Sequence, residues 1–260
     1  MGLGIVAALV VIALVNRFFI GNPNTLHLES ALQGPSFAHP FGTDNFGRDV
    51  FDRVLASTGA DLMIGFFCVI PALCIGTTIG IVAGYFGGWG DALLMRIVDV
   101  MVAFPFLVLV IAIVAALGAG ITNMFIAVAA VGWVSYARLA RSETQVIRQH
   151  DYVAAARVLG FNRRRILARH VLPNAVVQPL IYSTSDFIGY IILGSALGFL
   201  GLGVQPPKAE WGAMIADGQN YLTQAPWITI APGLAIVLVG TAFVLLGDGL
   251  AVILRPEVRT

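Results

Sequence analysis

The sequence predicts an all-α fold, a polytopic transmembrane helical bundle with six spans, on three observations: its composition, its charge-free runs and the placement of its cations. Of 260 residues, 58% are hydrophobic and 11% charged, against roughly 25% charged in an average soluble domain. Asp, Glu, Lys and Arg are missing from Met1–Asn16, Leu62–Gly90, Val100–Ala137, Phe187–Pro207 and Gly218–Gly247. A bilayer core takes about 20 apolar residues in a helix. Backbone groups in lipid must be paired internally, which makes such runs helical.

The spans are expected at 2–19, 60–84, 99–118, 121–138, 175–197 and 227–250. The first lacks a basic leader and a small-residue cleavage site, so it is read as a span and not a signal peptide. Its abrupt apolar start implies a short polar segment ahead of it. Only Gly118–Thr122 separates the third and fourth spans, which should form a tight hairpin.

Cations orient the bundle. Eight of the 15 Lys and Arg residues lie from Arg138 to Arg169. Arg96, Arg255 and Arg259 fall on the same side of a six-span topology. That side is assigned to the cytoplasm, with both termini inside. The outer side receives 22–57 and 198–226. In the first of these, Glu29, Asp44, Asp49 and Asp52 outnumber Arg48 and Arg53. The chain divides into 1–59, the first span and an external segment, and 60–260, a five-span core with a cytoplasmic loop at 138–174.

The external stretch HPFGTDNFGRDVFDRVLAS carries turn signals at Pro40, Gly42, Asp44 and Gly47. Arg48 with Asp52 and Asp49 with Arg53 stand at i,i+4, which predicts a short amphipathic helix on the membrane surface. The spacing of Asp44, Asn45 and Asp49 does not supply the alternating oxygens of a calcium loop. His27, His39, His150 and His170 do not cluster, and Cys68 and Cys74 fit neither a metal site nor a disulfide framework. No metal site, catalytic group or cofactor is expected in this chain. A net charge of +1 gives no reason to expect nucleic acid. Membrane lipid is the expected surroundings, and Arg163, Arg164 and Arg165 suit either anionic headgroups or a protein partner.

The cytoplasmic loop holds DYVAAARVLGFNRRRILARHVLP, with five Arg in 23 residues. Asp151 is a suitable N-cap. Tyr152, Ala155, Ala156 and Leu159 fall at i, i+3, i+4 and i+7, one apolar stripe. Gly160 stands where a C-terminal glycine ends a helix, and Asn162 can cap a second helix running to Leu172–Pro173. A helix this short is held only by packing. Its stripe fits a partner's groove, which a loop serving topology alone does not need.

This stretch resembles the EAA loop of ABC importer permeases, with Ala155, Ala156, Gly160, Leu172 and Pro173 in register. Ala154 stands where the family has Glu, at the expected N3 position, and His170 where Ile is usual. HPFGTDNFGRDVFDRVL is similar to the first external segment of the dipeptide, oligopeptide and nickel branch. LGFLGLGVQPPKAEWGAMIADGQNYL and APWITIAPGLAIVLVGTAFVLLGDGL are similar to the C-terminal third of that branch. The similarity runs from His39 to about Pro256 and points to the second of two non-identical permeases.

The resemblance implies a type I ABC importer permease. Partners would be a second homologous permease, two ATP-binding subunits that hold ATP and Mg, and an external solute-binding protein. Asp151, Tyr152, Ala155, Ala156, Leu159, Gly160 and Phe161 would couple to an ATPase subunit. ATP-driven closure would then tilt the attached spans between inward and outward openings. The chain has no phosphate-binding loop of its own. The cargo would be di- or oligopeptides or a related solute, with a nickel or metal-chelate importer as an alternative. The location would be the bacterial inner membrane.

Asp186 and Ser183 are the pathway candidates. A carboxylate in mid-bilayer costs about 2.5–3.5 kcal/mol on insertion scales, so it should face protein or water. Two readings stand for Asp186: a cavity wall that meets an amine or cation, or a contact between helices. An ion-coupled carrier or channel built on Asp186 is the competing function. Gly194, Gly198, Gly201 and Gly203 are expected to pack against the partner permease. The 204–211 segment either meets the binding protein or is a surface loop anchored by Trp211 at the interface.

Overall fold

The computed structural model describes residues 2–19, 21–205 and 207–254. Arg255 and Arg259, used above for orientation, and Pro206 of the 204–211 segment lie outside the described residues. The described chain is helical, with one isolated β-bridge between Thr43 and Asp49 and no strand.

The helices are α1 (Gly2–Phe19), α2 (Val50–Phe86), α3 (Gly88–Val102), α4 (Phe106–Leu117), α5 (Ile121–Ile147), α6 (Asp151–Val158), α7 (Arg163–Ile166), α8 (Leu172–Ala175), α9 (Val177–Phe199), α10 (Trp211–Gly218) and α11 (Trp227–Leu254). Four are long and apolar enough to cross a membrane: α2, α5, α11 and the rod Arg163–Phe199, in which α7, a π-helical turn at Leu167–Val171, α8 and α9 follow one another. The pair α3 and α4 makes a fifth if counted as one broken span. In α1 the apolar stretch Gly2–Asn16 is shorter.

Two expectations change here. The expected span at 99–118 is not one helix, because α3 and α4 meet at 85°. Pro105 supplies the reason: it has no N–H and disfavours helix at Phe104 before it, so the chain restarts at Phe106. The expected surface helix around 48–55 is also not separate. It is the first turns of α2, whose 37 residues span about 55 Å against a hydrocarbon core of about 30 Å. Position 59/60 therefore falls inside a continuous helix. The hairpin at Gly118–Gly120, between α4 and α5, is present.

Small residues set the packing. Gly76, Gly80 and Gly84 recur every fourth residue on α2, where a Cβ would strike the α5 backbone at Trp133, Ala137 and Arg141. The two helices thus approach backbone to backbone, as a small-xxx-small groove permits. Gly65 and Gly194 fit α2 to α9, receiving Phe187 and Ile64. Gly240 and Gly247 fit α11 to α9, where Phe187 and Phe243 stack at 3.8 Å. Gly194, Gly198 and Gly203 therefore face this chain and not a partner; Gly198 lies against Glu210 and Gly203 against Gly198.

A large apolar core joins α2, α4, α5, α9, α10 and α11. A smaller one gathers Ile81, Tyr85, Ala140, Ile147 and the cytoplasmic loop. At the outer end the expected i,i+4 pairs are replaced by a web. Asp49 caps α2 through Asp52 N–H (3.0 Å) and takes His39 Nδ1 at 2.7 Å. Arg48 binds Asp44 at 2.6 Å and Asp217 at 3.6 Å, and Arg53 donates to Asn24 at 2.9 Å. Asp49 and Asp44 are better placed than Asp52 because the capped turn points them back over the external segment.

Candidate functional site

The 138–174 loop is built from its caps outward. His150, in extended backbone, is the N-cap position of α6, which places Asp151 in the first turn without a side-chain cap. This corrects the expected Asp151 cap, and Ala154 is then the fourth helical residue and not N3. The carboxylate of Asp151 still suits the positive end of the helix. At the other end Phe161 N–H bonds Ala156 C=O and Gly160 N–H bonds Arg157 C=O. With Gly160 at φ +75°, this is a Schellman closure. Asn162 Oδ1 accepts from Arg165 N–H and caps α7 at 2.7 Å.

The expected stripe divides between two faces. Ala156 is buried with Val153, which the stripe did not include, against Ile166, Val171 and Ala175. Tyr152, Ala155 and Leu159 stay exposed. Leu159 is 72% exposed and its neighbour Val158 88%. One face thus glues the helix to its own chain, and an apolar corner is left outward.

The mounting is stiff. Tyr152 stacks on His150 and accepts from Asn174 Nδ2 at 3.4 Å. Arg148 donates to Gly84 C=O at 3.0 Å, and Arg157 to Arg148 C=O at 3.3 Å. The Phe161 ring lies under the Arg165 guanidinium at 4.3 Å and stacks on His170. These contacts tie the loop to α2 and α5.

Asp186 lies on α9 facing α5. It accepts a hydrogen bond from the fully buried Tyr136 at 2.8 Å, and the hydroxyls of Tyr182 and Tyr190 serve the same carboxyl. Gly132 leaves the room that the Tyr190 hydroxyl occupies. Tyr182 packs edge-on against Tyr136 and also lines a cavity of about 430 Å³ with Val102, Ser135, Arg138 and Ser142. Arg138 pairs there with Asp99 at 3.2 Å. Asp186 is half-buried, and its neighbours Ser185 and Gly189 on α9 are exposed. A polar strip of carboxylate, hydroxyls and one ion pair thus runs along the α5–α9 face, able to hydrogen-bond a charged solute.

Ser183 is not brought to this strip. Its hydroxyl donates to Leu180 C=O at 2.7 Å, and it lines an apolar cavity of about 590 Å³ with Gly59, Phe66, Phe187 and Phe243. Trp211 is no interfacial anchor: it is 1% exposed and donates to Val54 C=O at 3.1 Å. Its indole fills the junction of α2 and α10 and its N–H finds a partner there, as a buried Trp requires. Sequence reasoning missed the tyrosines. Tyr182 and Tyr190 stand at i−4 and i+4 from Asp186, a visible signal; Tyr136 comes from another helix and gives none.

Comparison with known proteins bears on this arrangement. Residues 76–260 match the family described as "Binding-protein-dependent transport system inner membrane component". A dipeptide transport system permease protein of Alkalihalophilus pseudofirmus is 44% identical over 88% of this chain and 75% of its own length. A glutathione transport system permease protein of Pectobacterium atrosepticum is 44% identical over 88% and 76%. A probable D,D-dipeptide transport system permease protein of Escherichia coli is 42% identical over 91% and 79%. The chain therefore belongs to the family of binding-protein-dependent transport system inner membrane components, as a transmembrane permease subunit of an ATP-driven importer and not an enzyme.

Proposed function

We propose that this chain forms half of a translocation pathway for small peptides and is driven through α6 by a separate ATPase. Relatives are named for dipeptide, D,D-dipeptide and glutathione transport, which supports a cargo of two or three residues. The bundle crosses the membrane six times, as α1, α2, the α3–α4 pair, α5, the rod ending in α9, and α11. Both termini are cytoplasmic. Residues 1–59 and 60–260 act as an entry segment and a five-span core. A second homologous permease closes the pathway, two ATP-binding subunits hold ATP and Mg, and an external binding protein delivers the cargo.

The observation that carries this reading is the apolar corner on α6. Exposed Val158 and Leu159 with half-exposed Tyr152 stand on a helix whose opposite face is locked into the chain's own core. Such a corner is a peg: apolar where a partner grips it and rigid where force must pass. Asp151, Ala155, Gly160 and Phe161 shape it, and Ala156 anchors it. The polar strip at Asp186, with Ser135, Arg138 and Tyr182, lines the cargo path and suits the ammonium and carboxylate of a peptide.

Reconstitution of the whole transporter in liposomes tests both parts. Leu159→Asp is expected to reduce ATP-driven dipeptide uptake about tenfold or more, the loss of roughly 1.4 kcal/mol of coupling contact, while the subunit stays in the membrane. Asp186→Asn is expected to lower uptake and leave ATPase docking intact. Unchanged uptake in Leu159→Asp would remove the peg from the account.

A further inference from the structure

We propose that Asp61 of α2 and Glu210 at the start of α10 form a proton-binding site, in which one proton held on Asp61 and shared with the Glu210 carboxylate fastens α10 to α2. Both side chains are fully buried. They belong to separate parts of the chain, 149 positions apart (210 − 61), so their meeting is tertiary.

The hydrogen-bond inventory decides where the proton sits. Glu210 Oε1 accepts from Gly212 N–H at 2.7 Å and from the Ser195 hydroxyl at 3.3 Å, and Oε2 accepts from Ala213 N–H at 2.8 Å. Three donors around one carboxyl stabilise its charged form. Asp61 has one distant donor, Trp211 N–H on Oδ2 at 3.3 Å, and no donor reaches Oδ1. The two carboxyls sit side by side on successive backbone N–H groups at the start of α10, Asp61 on Trp211 and Glu210 on Gly212. Two bare carboxylates would repel there, in a place without water. With one proton, Asp61 becomes an O–H donor and Glu210 accepts, so the repulsion turns into a charge-assisted bond.

A larger cation does not fit. Gly198 backs onto Glu210 Oε2 so closely that even a Cβ has no room. Among the described residues no group of three His, Cys, Asp or Glu is placed to hold a metal ion. Nor does a positive side chain neutralise the pair. From α9 the facing group is Ser195, and α11 brings no charge between Trp227 and Gly247. Among the described residues, Arg53 on α2, Asp44 and Arg48 on the external segment and Asp217 on α10 pair with one another, Asp49 pairs with His39, Asp52 stands in the first turn of α2, and Lys208, two positions before Glu210, is exposed. The outer web leaves the inner pair to the proton.

The consequence is a fastening that loosens in alkali. Docked α10 keeps a proton that a released Asp61 gives up near its ordinary value of about 4. Docking is undisturbed below about pH 4, weakens as pH rises from there to the point where the docked pair lets its proton go, and weakens no further above it.

The test uses the assembled transporter in lipid nanodiscs, with protons as the probe. An infrared difference spectrum of wild type minus Asp61→Asn at neutral pH should show the C=O band of a buried protonated carboxyl. Amide exchange in α10 of the wild type should rise with pH beyond the intrinsic increase, by up to about tenfold per pH unit until the docked pair releases its proton, and level off above that point. In Asp61→Asn, whose amide donates without a proton, that excess should vanish. Should Asp61→Asn fail to assemble, Glu210→Gln serves, since its amide can donate to an ionised Asp61 and the band should again be lost. A missing band, or α10 exchange with the same pH dependence in wild type and variant, overturns the proposal.

Discussion

At the scale of single residues, two positions show how local chemistry mounts the site. Gly160 closes α6 at φ +75°, where open space surrounds a would-be side chain. Gly160→Ala should therefore cost only the backbone term, about 1 kcal/mol, read as a small drop in the thermal midpoint of the purified complex. Tyr136→Phe removes the 2.8 Å bond to Asp186. It should destabilise by about 1.5–3 kcal/mol, the range for a hydrogen bond to a charged group, measured by the same melting experiment, with Tyr182 and Tyr190 still serving the carboxyl. Gly160 and Asn162 were legible from sequence because their roles are local. The Asp151 cap was misplaced by one residue, since Asp and an extended His150 compete for the same turn. Asp61 with Glu210 was illegible, because nothing near either residue announces the other.

Among elements, α2 and α5 carry the structure. Their contact rests on Gly76, Gly80 and Gly84. Gly80→Leu should wedge them apart and cost about 1–3 kcal/mol or more, seen as loss of assembled complex in size-exclusion chromatography. Gly90→Leu on α3, where a Cβ meets nothing within 4 Å, is the matched control and should assemble normally. The four long helices were legible as apolar runs because length and hydropathy are one-dimensional. The bend between α3 and α4 was hidden inside a run without charges, and only Pro105 marked it. The merging of the outer helix into α2 was hidden because its first turns carry charge, yet Arg53 there is taken up by Asp44 and Asn24 of the segment before α2. The face of α6 that turned inward was likewise undecidable from periodicity, since Val153 with Ala156 makes an apolar i,i+3 pair beside the stripe begun by Tyr152.

At the scale of the molecule, the exposed apolar corner of α6, the close-packed α2–α5 pair and the polar strip at Asp186 are linked through α5. The smaller core joins α6 to Ile81 and Tyr85 of α2 and to Ala140 and Ile147 of α5. Tyr136, five residues before Arg141 on the same α5, holds Asp186. Contacts thus run without a break from α6 through α5 to Asp186, an arrangement suited to rigid-body switching. The six-crossing topology makes a separate prediction. Cysteines at Phe37 and Arg164, in outer and inner segments, should be labelled by an impermeant maleimide from opposite sides of sealed vesicles, and labelling from the same side would contradict it.

The most direct test of the central claim is thiol protection at the peg. Leu159→Cys, in a chain with Cys74→Ser, is treated with maleimide with and without the ATPase subunits. The account predicts rapid labelling of the permeases alone and near-complete protection in the assembled, transporting complex. Equal labelling in both, with uptake at full rate, would contradict it.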